Sequence, residues 1–299
     1  MTKCLIPIIA CLCFCLSLQA QTPERATAKG SQNNSSTLSS STACAPGQAP
    51  FAGTSTQMLG LGAQSNNIQF VCFGDTLFID HAGDSDLSGD PDPSTTPGIV
   101  YAIYDCDPFI SGPDFNTIKL LDTCLIDEPV AGDTSLWAIP TADFTAGGDG
   151  FVVNQGGFQN FFNGGMPVEL IFAPITVDEF SQISGLTTWE SDGVGGDRGP
   201  CVHANTDDAF SAVFLNEITF SNFNDNAGGN GCTGSVEIRG GLSEYQLSNY
   251  TIEVFLTSDP SVRGHSAMAT NTKHGDTFVF DVPFSGAYTI RVQDANGCT

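Results

Sequence analysis

The stretch Ala287-Tyr288-Thr289-Ile290-Arg291-Val292, continued by Gln293, sorts its side chains by parity. Tyr288, Ile290 and Val292 fall on one face of an extended chain, and Thr289, Arg291 and Gln293 on the other. That is the two-residue period of a strand with one face in a core and one in water. Working outward, Ser211–Phe220, Ser235–Arg239, Tyr250–Leu256 and Thr277–Asp281 are further runs rich in Val, Ile, Phe and Tyr. Residues 209–299 therefore read as an immunoglobulin-like β-sandwich. Upstream, Ile68–Phe73, Thr76–Ile79, Gly98–Tyr104, Phe151–Val153 and Val168–Ala173 are short apolar runs bounded by Gly, Pro and Asp, the pattern of a second sandwich over residues 67–208. The expected fold is all-β, with short helices at Phe115–Leu121 and Val177–Ile183 at most.

Residues 1–20 carry Lys3, then an apolar stretch from Leu5 to Leu18, then Leu-Gln-Ala20. This is the layout of a secretory signal cleaved after Ala20, too short for a membrane span of roughly 20 residues. No transmembrane segment is expected in the mature chain. Residues 21–66 are rich in Ser, Thr, Asn, Gln and Ala without an apolar period, and read as a disordered leader. The expected location is extracytoplasmic, secreted or on a cell surface.

Of 11 cysteines, Cys4, Cys11, Cys13 and Cys15 leave with the signal. In an oxidising compartment the remaining seven make three bridges and leave one over, for which Cys44 in the leader is the natural candidate. Spacing alone does not give connectivity. Keeping each pair within one expected domain suggests Cys106 with Cys124, Cys72 with Cys201, and Cys232 with Cys298. The formal net charge is −24, and between Gly30 and Asp197 Lys119 is the only Lys or Arg. Such a surface excludes nucleic acid as a default partner and suits cations or a saline exterior.

The segment Asp84-Ser-Asp86-Leu-Ser88-Gly89-Asp90-Pro-Asp92 places oxygen-bearing side chains at alternate positions around a glycine. Calcium requires six to eight oxygens, so Asp84, Asp86, Ser88, Asp90 and Asp92 form a candidate calcium loop, which Asp80 extends. Thr95 stands where the EF-hand pattern needs a bidentate Glu. A zinc site at Cys201, His203 and Asp207 or Asp208 lacks the paired Cys or His spacing. Gly264-His-Ser266-Ala-Met268 misses the last glycine of a nucleophile elbow. Adjacent acidic pairs such as Asp127-Glu128 and Asp178-Glu179 point to opposite faces of a strand, and Trp137 and Trp189 fit a core as well as a sugar platform.

Two motifs together resemble a known family. Cys232-Thr-Gly-Ser-Val-Glu-Ile-Arg-Gly-Gly241, with Gly286-Ala-Tyr-Thr-Ile-Arg-Val-Gln-Asp-Ala-Asn-Gly-Cys298, is similar to the start and end of a SprB-type repeat. Leu242-Ser-Glu-Tyr245 stands where Pro-Pro-Tyr is usual. Such repeats occur in tandem in large surface adhesins of gliding bacteria exported by type IX secretion. The resemblance implies a non-enzymatic adhesin or stalk that engages an extracellular glycan or protein surface. It also implies that Thr299, directly after the repeat's last cysteine, ends the leading part of a longer modular protein. The alternative is that these are accessory carbohydrate-binding or spacer modules of a secreted hydrolase.

Overall fold

The computed structural model describes residues 52–59, 64–65, 68–86, 98–111, 121–126, 138–139, 149–177, 179–180, 187–188, 203–228, 231–266 and 269–299. The expected signal peptide and most of the leader lie outside them. The chain is all-β: its strands form several sheets, and helices are few and short.

The amino-terminal half contains β1 (Ser55–Leu59), β2 (Gln64–Ser65), β3 (Ile68–Val71), β4 (Thr76–His81), β5 (Gly98–Tyr104), β6 (Ala138–Ile139), β7 (Gly150–Val153), β8 (Val168–Val177), β9 (Glu179–Phe180), β10 (Thr187–Thr188) and β11 (Phe210–Phe214). A six-stranded sheet runs β2-β3-β11-β8-β5-β6, a three-stranded sheet runs β1-β4-β7, and β9 pairs with β10. β5 is buried at every position from Ile99 to Tyr104, which explains its unbroken apolar reading: it is covered on both faces. Tyr101 and Ile103 meet Leu77 and Ile79 of the three-stranded sheet, while Val100, Ala102 and Tyr104 pack on Cys124, Leu125 and Ala204. The helix α1 (Gly157–Asn163) closes the first of these cores. It has no side-chain N-cap; Phe158 holds it, 4.6 Å from the Phe214 ring and stacked on Phe162 one turn later.

The carboxy-terminal half contains β12 (Thr219–Gly228), β13 (Gly231–Arg239), β14 (Thr251–Leu256), β15 (Asp259–Arg263), β16 (Thr277–Val282) and β17 (Tyr288–Gln293), with α2 (Gly241–Gln246) after β13. Two three-stranded sheets, β12-β13-β16 and β15-β14-β17, pack face to face. Val236, Ile238, Phe278 and Phe280 of one meet Ile252, Val254, Tyr288 and Val292 of the other. This is a β-sandwich, with the parity expected of β17: Tyr288 and Val292 are buried, Ile290 half-buried, Arg291 and Gln293 exposed.

Three boundary expectations need correction. Ser211–Phe220 is not one strand opening the second unit. β11 pairs parallel with β3 and antiparallel with β8, so the first sandwich extends to Phe214 and the change of unit falls at Leu215–Ile218 rather than between 208 and 209. The leader does not run to residue 66, because β1 pairs along its whole length with β4. Val177–Ile183 is not helical where described, since β8 runs to Val177 and β9 follows. The expected helix at Phe115–Leu121 lies almost wholly outside the described residues.

Candidate functional site

The two sandwiches meet at a seam between β3 and the final turn of the chain. β3 ends at Val71, which places Cys72 at the rim of the first unit. After β17, Asp294 folds the chain back: its buried carboxylate accepts the backbone N–H groups of Leu242 (2.6 Å), Asn296 (2.9 Å) and Cys298 (2.9 Å). The Asp-x-x-Gly-Cys ending is therefore a turn that ties α2 to the terminus and aims Cys298 at the first unit. Cys72 and Cys298 are disulfide-bonded, with 5.5 Å between their Cα atoms. Phe70, Val213, Leu215, Leu242 and both cysteines form one apolar cluster around the bridge. Within it, the Asn296 amide donates to the Phe70 carbonyl at 3.2 Å.

Beside this cluster the contacts turn polar. Asn216 donates to the Gly165 carbonyl (2.8 Å) and to Glu244 (2.9 Å), and Tyr245 donates to Glu169 at 2.7 Å. Burial and then the Glu169 carboxylate push the Tyr245 hydroxyl up to about 12. Gly240, at φ 96°, lets β13 turn into α2 where a Cβ would lie 1.9 Å from the Glu217 carbonyl oxygen. The result is a cleft of about 370 Å³ between the units, lined by residues of both, including Phe73, Gln155, Asn160, Glu217, Arg239 and Glu244.

A second polar cluster holds residues 52–55. The Ala52 N–H donates to His203 Nδ1 (3.3 Å) and the Ala52 carbonyl accepts from His81 Nε2 (2.8 Å). Asn205 donates to the Gly53 carbonyl at 2.7 Å. Asp84 accepts from the Thr54 N–H (2.8 Å) and hydroxyl (2.9 Å), and Asp208 accepts from the N–H and hydroxyl of Ser55. Because His81 Nδ1 accepts from the Gly83 N–H, its Nε2 carries the proton, so both imidazoles act here as neutral rings. Burial holds His203 below its usual range. Hydrogen bonding from the Thr54 backbone holds Asp84 below the usual carboxylate range. Gly53 has φ 78°, and a Cβ there would come within 2.5 Å of the His81 ring.

These contacts place the sequence-derived candidates. Cys106 and Cys124 are bridged, with Asp122 inside their loop accepting from the N–H groups of Phe109, Ile110 and Cys124. The expected pairs Cys72–Cys201 and Cys232–Cys298 are corrected by the Cys72–Cys298 bridge. The rule of keeping pairs within a domain fails because the final turn lies against the other domain. Cys232 is itself disulfide-bonded, to a cysteine outside the described residues. Of the calcium loop, Asp84 is engaged by Thr54, Asp86 is exposed, and Ser88, Asp90 and Asp92 lie outside the described residues. Asp105, Cys106 and Cys124 come close enough together to suggest a metal group, but two of the three are joined as a disulfide and offer no thiolate.

His203 and Asp208 act in the clamp on residues 52–55, and Cys201 lies outside the described residues. The Ser266 hydroxyl donates to the Val279 carbonyl. Trp137, Trp189, the Asp127-Glu128 pair, Asp178 and the Glu179 side chain lie outside the description. Neither the cleft nor the clamp was signalled by a sequence motif, since both are assembled from single residues far apart in the chain.

No protein-family model matches the sequence, and no similar sequence is found among curated proteins. The disulfides fit an oxidising, extracytoplasmic compartment. Among the described residues, no helix is long and apolar enough to cross a membrane.

Proposed function

We propose that this chain is a non-enzymatic surface or secreted module, an adhesin or stalk unit that engages an extracellular glycan or protein surface. The observation that carries the reading is the seam. Two β-sandwiches fastened by Cys72–Cys298, an apolar cluster and buried polar contacts form a stiff unit that presents one fixed surface. Single-chain domains joined by a flexible linker would instead move independently. The likeness of residues 232–299 to a SprB-type repeat, with export by type IX secretion from a gliding bacterium, belongs to the same proposal. Its closing motif supplies the turn and cysteine that make the seam.

The test is adhesion of particles coated with residues 21–299 to cells, polysaccharide and matrix protein. Saturable adhesion supports the reading, and its absence on all three surfaces leaves only a spacer. Calcium at Asp84, Asp86, Ser88, Asp90 and Asp92 is part of the proposal as a stiffening ion. Binding to the folded state alone raises the melting midpoint, so equal midpoints in calcium and in chelator remove it.

A further inference from the structure

We propose that the cleft between the two sandwiches is a binding site for a neutral saccharide. The inference rests on the adhesin reading and names its ligand class. The cleft, at about 370 Å³, falls within the size range of small-molecule sites, but its walls are richer in amides and carboxylates than those of a pocket for an apolar ligand.

Its groups are placed for use. Phe73 follows the bridged Cys72, and the residue is 41% exposed. Its ring and the Asn160 amide flank Gly156: a Cβ there would stand 3.6 Å from the ring and 3.7 Å from the amide nitrogen. Gln155, Asn160 and Glu217 are exposed, and among the described residues no hydrogen-bond or ionic partner meets their side chains. By contrast, the groups that frame the cleft are already held. Glu244 accepts from Asn216, Arg239 is paired with Glu237, and His274 Nδ1 accepts from the Gly240 N–H. The frame is rigid and the free groups are adaptable donors and acceptors.

The chemistry selects among ligand classes. An amide offers both donors and acceptors and a carboxylate accepts strongly, which matches a ring of hydroxyls. An exposed aromatic residue in the same wall suits the C–H face of a pyranose. An anionic ligand meets Glu217 and Glu244, a single Arg already paired, and a chain of net charge −24. A cationic ligand meets the Arg239 guanidinium in the same wall as Glu217 and Glu244, and one aromatic ring rather than a cage. A neutral sugar satisfies every wall.

The experiment is calorimetric titration of residues 21–299, disulfides intact, with cello-, xylo-, laminari-, malto- and chito-oligosaccharides, using oligogalacturonate as the charged comparison. The expected result is saturable binding of at least one neutral series. Phe73→Ala and Asn160→Ala should each weaken it about tenfold, the cost of one lost stacking or hydrogen-bonding partner. Phe284→Ala, an exposed ring away from the cleft, should not. Both cleft side chains are exposed, so the variants should melt like the parent. Absence of binding across the neutral series overturns the inference, as does binding undiminished in the Phe73→Ala/Asn160→Ala variant, or tighter binding of oligogalacturonate. Coated particles that adhere to cells while no saccharide binds would sink the cleft and leave the adhesin reading standing. Saccharide binding without adhesion would do the reverse.

Discussion

The two ends of the described chain are fastened in opposite ways. Near the carboxy terminus, Cys298 is held by a covalent bond, an apolar cluster and the buried Asp294 carboxylate. Near the amino terminus, residues 52–55 are held by hydrogen bonds donated by His81 and Asn205 and accepted by Asp84, His203 and Asp208, with no covalent link among the described residues. A disulfide ignores ordinary changes of pH and yields to reductant, whereas a clamp in which burial lowers His203 and the Thr54 backbone lowers Asp84 responds to pH and not to reductant. One molecule thus carries two fastenings with separate chemical weaknesses.

The largest effect should come from the covalent side. Cys72 and Cys298 are 226 residues apart, and the loop-entropy model assigns a bridge of that span about 5 kcal/mol. Cys72→Ser/Cys298→Ser should therefore lower the urea midpoint sharply; an unchanged midpoint would mean that the apolar cluster holds the seam unaided. Next, Asp294→Ala strands three buried N–H groups and should cost about 3 kcal/mol in the same denaturation experiment, with the disulfide still formed.

On the polar side, Gly53→Val forces a branched side chain into a left-handed backbone against the His81 ring, a strain of about 2 kcal/mol. Hydrogen exchange should show β1 amides losing protection while β8 and β11 keep theirs; uniform loss would show that the clamp is not a separable unit. The smallest effect concerns pH. Burial lowers the folded pKa of His203 below its unfolded value near 6.5, so the unfolded chain takes up the proton first. This contribution leaves stability at its full value above about pH 6.5 and erodes it as pH falls toward the folded pKa. The melting midpoint should drop across that window, and His203→Gln should flatten the drop while Cys72→Ser/Cys298→Ser does not.

What was legible in the sequence follows the range of the forces involved. The alternation of Tyr288, Ile290 and Val292 and the unbroken apolar run of β5 are local records of one-sided and two-sided burial, and both reappear in the fold. Ser211–Phe220 misled because two apolar runs adjoin across Leu215-Asn216-Glu217-Ile218. Only the pairing partner of each run separates them: the first pairs with β3, far back in the chain (Ser211 opposite Ile68), and the second with the neighbouring β13 (Thr219 opposite Arg239). β1 was hidden because the residues before it, Ala52-Gly53-Thr54, are held through their backbone and small polar groups, which leave no apolar period. The helices α1 and α2 begin at glycines without capping side chains, so the usual start signal is missing. The seam pairing and the cleft depend on how two units dock, which no local pattern records.

The Cys72–Cys298 bridge also reroutes mechanical load. Tension applied between residues 52–71 and Thr299 crosses from Cys72 to Cys298 through the sulfur atoms. Residues 73–297 hang from that junction as a side loop under no pull, including nearly all of both sandwich cores and the walls of the cleft. Among the described strands, only β1 to β3 lie in the line of force. A pull strong enough to peel β1 from β4 would leave the presenting surface intact, and reduction of the Cys72–Cys298 bond would extend the line of force into both sandwiches.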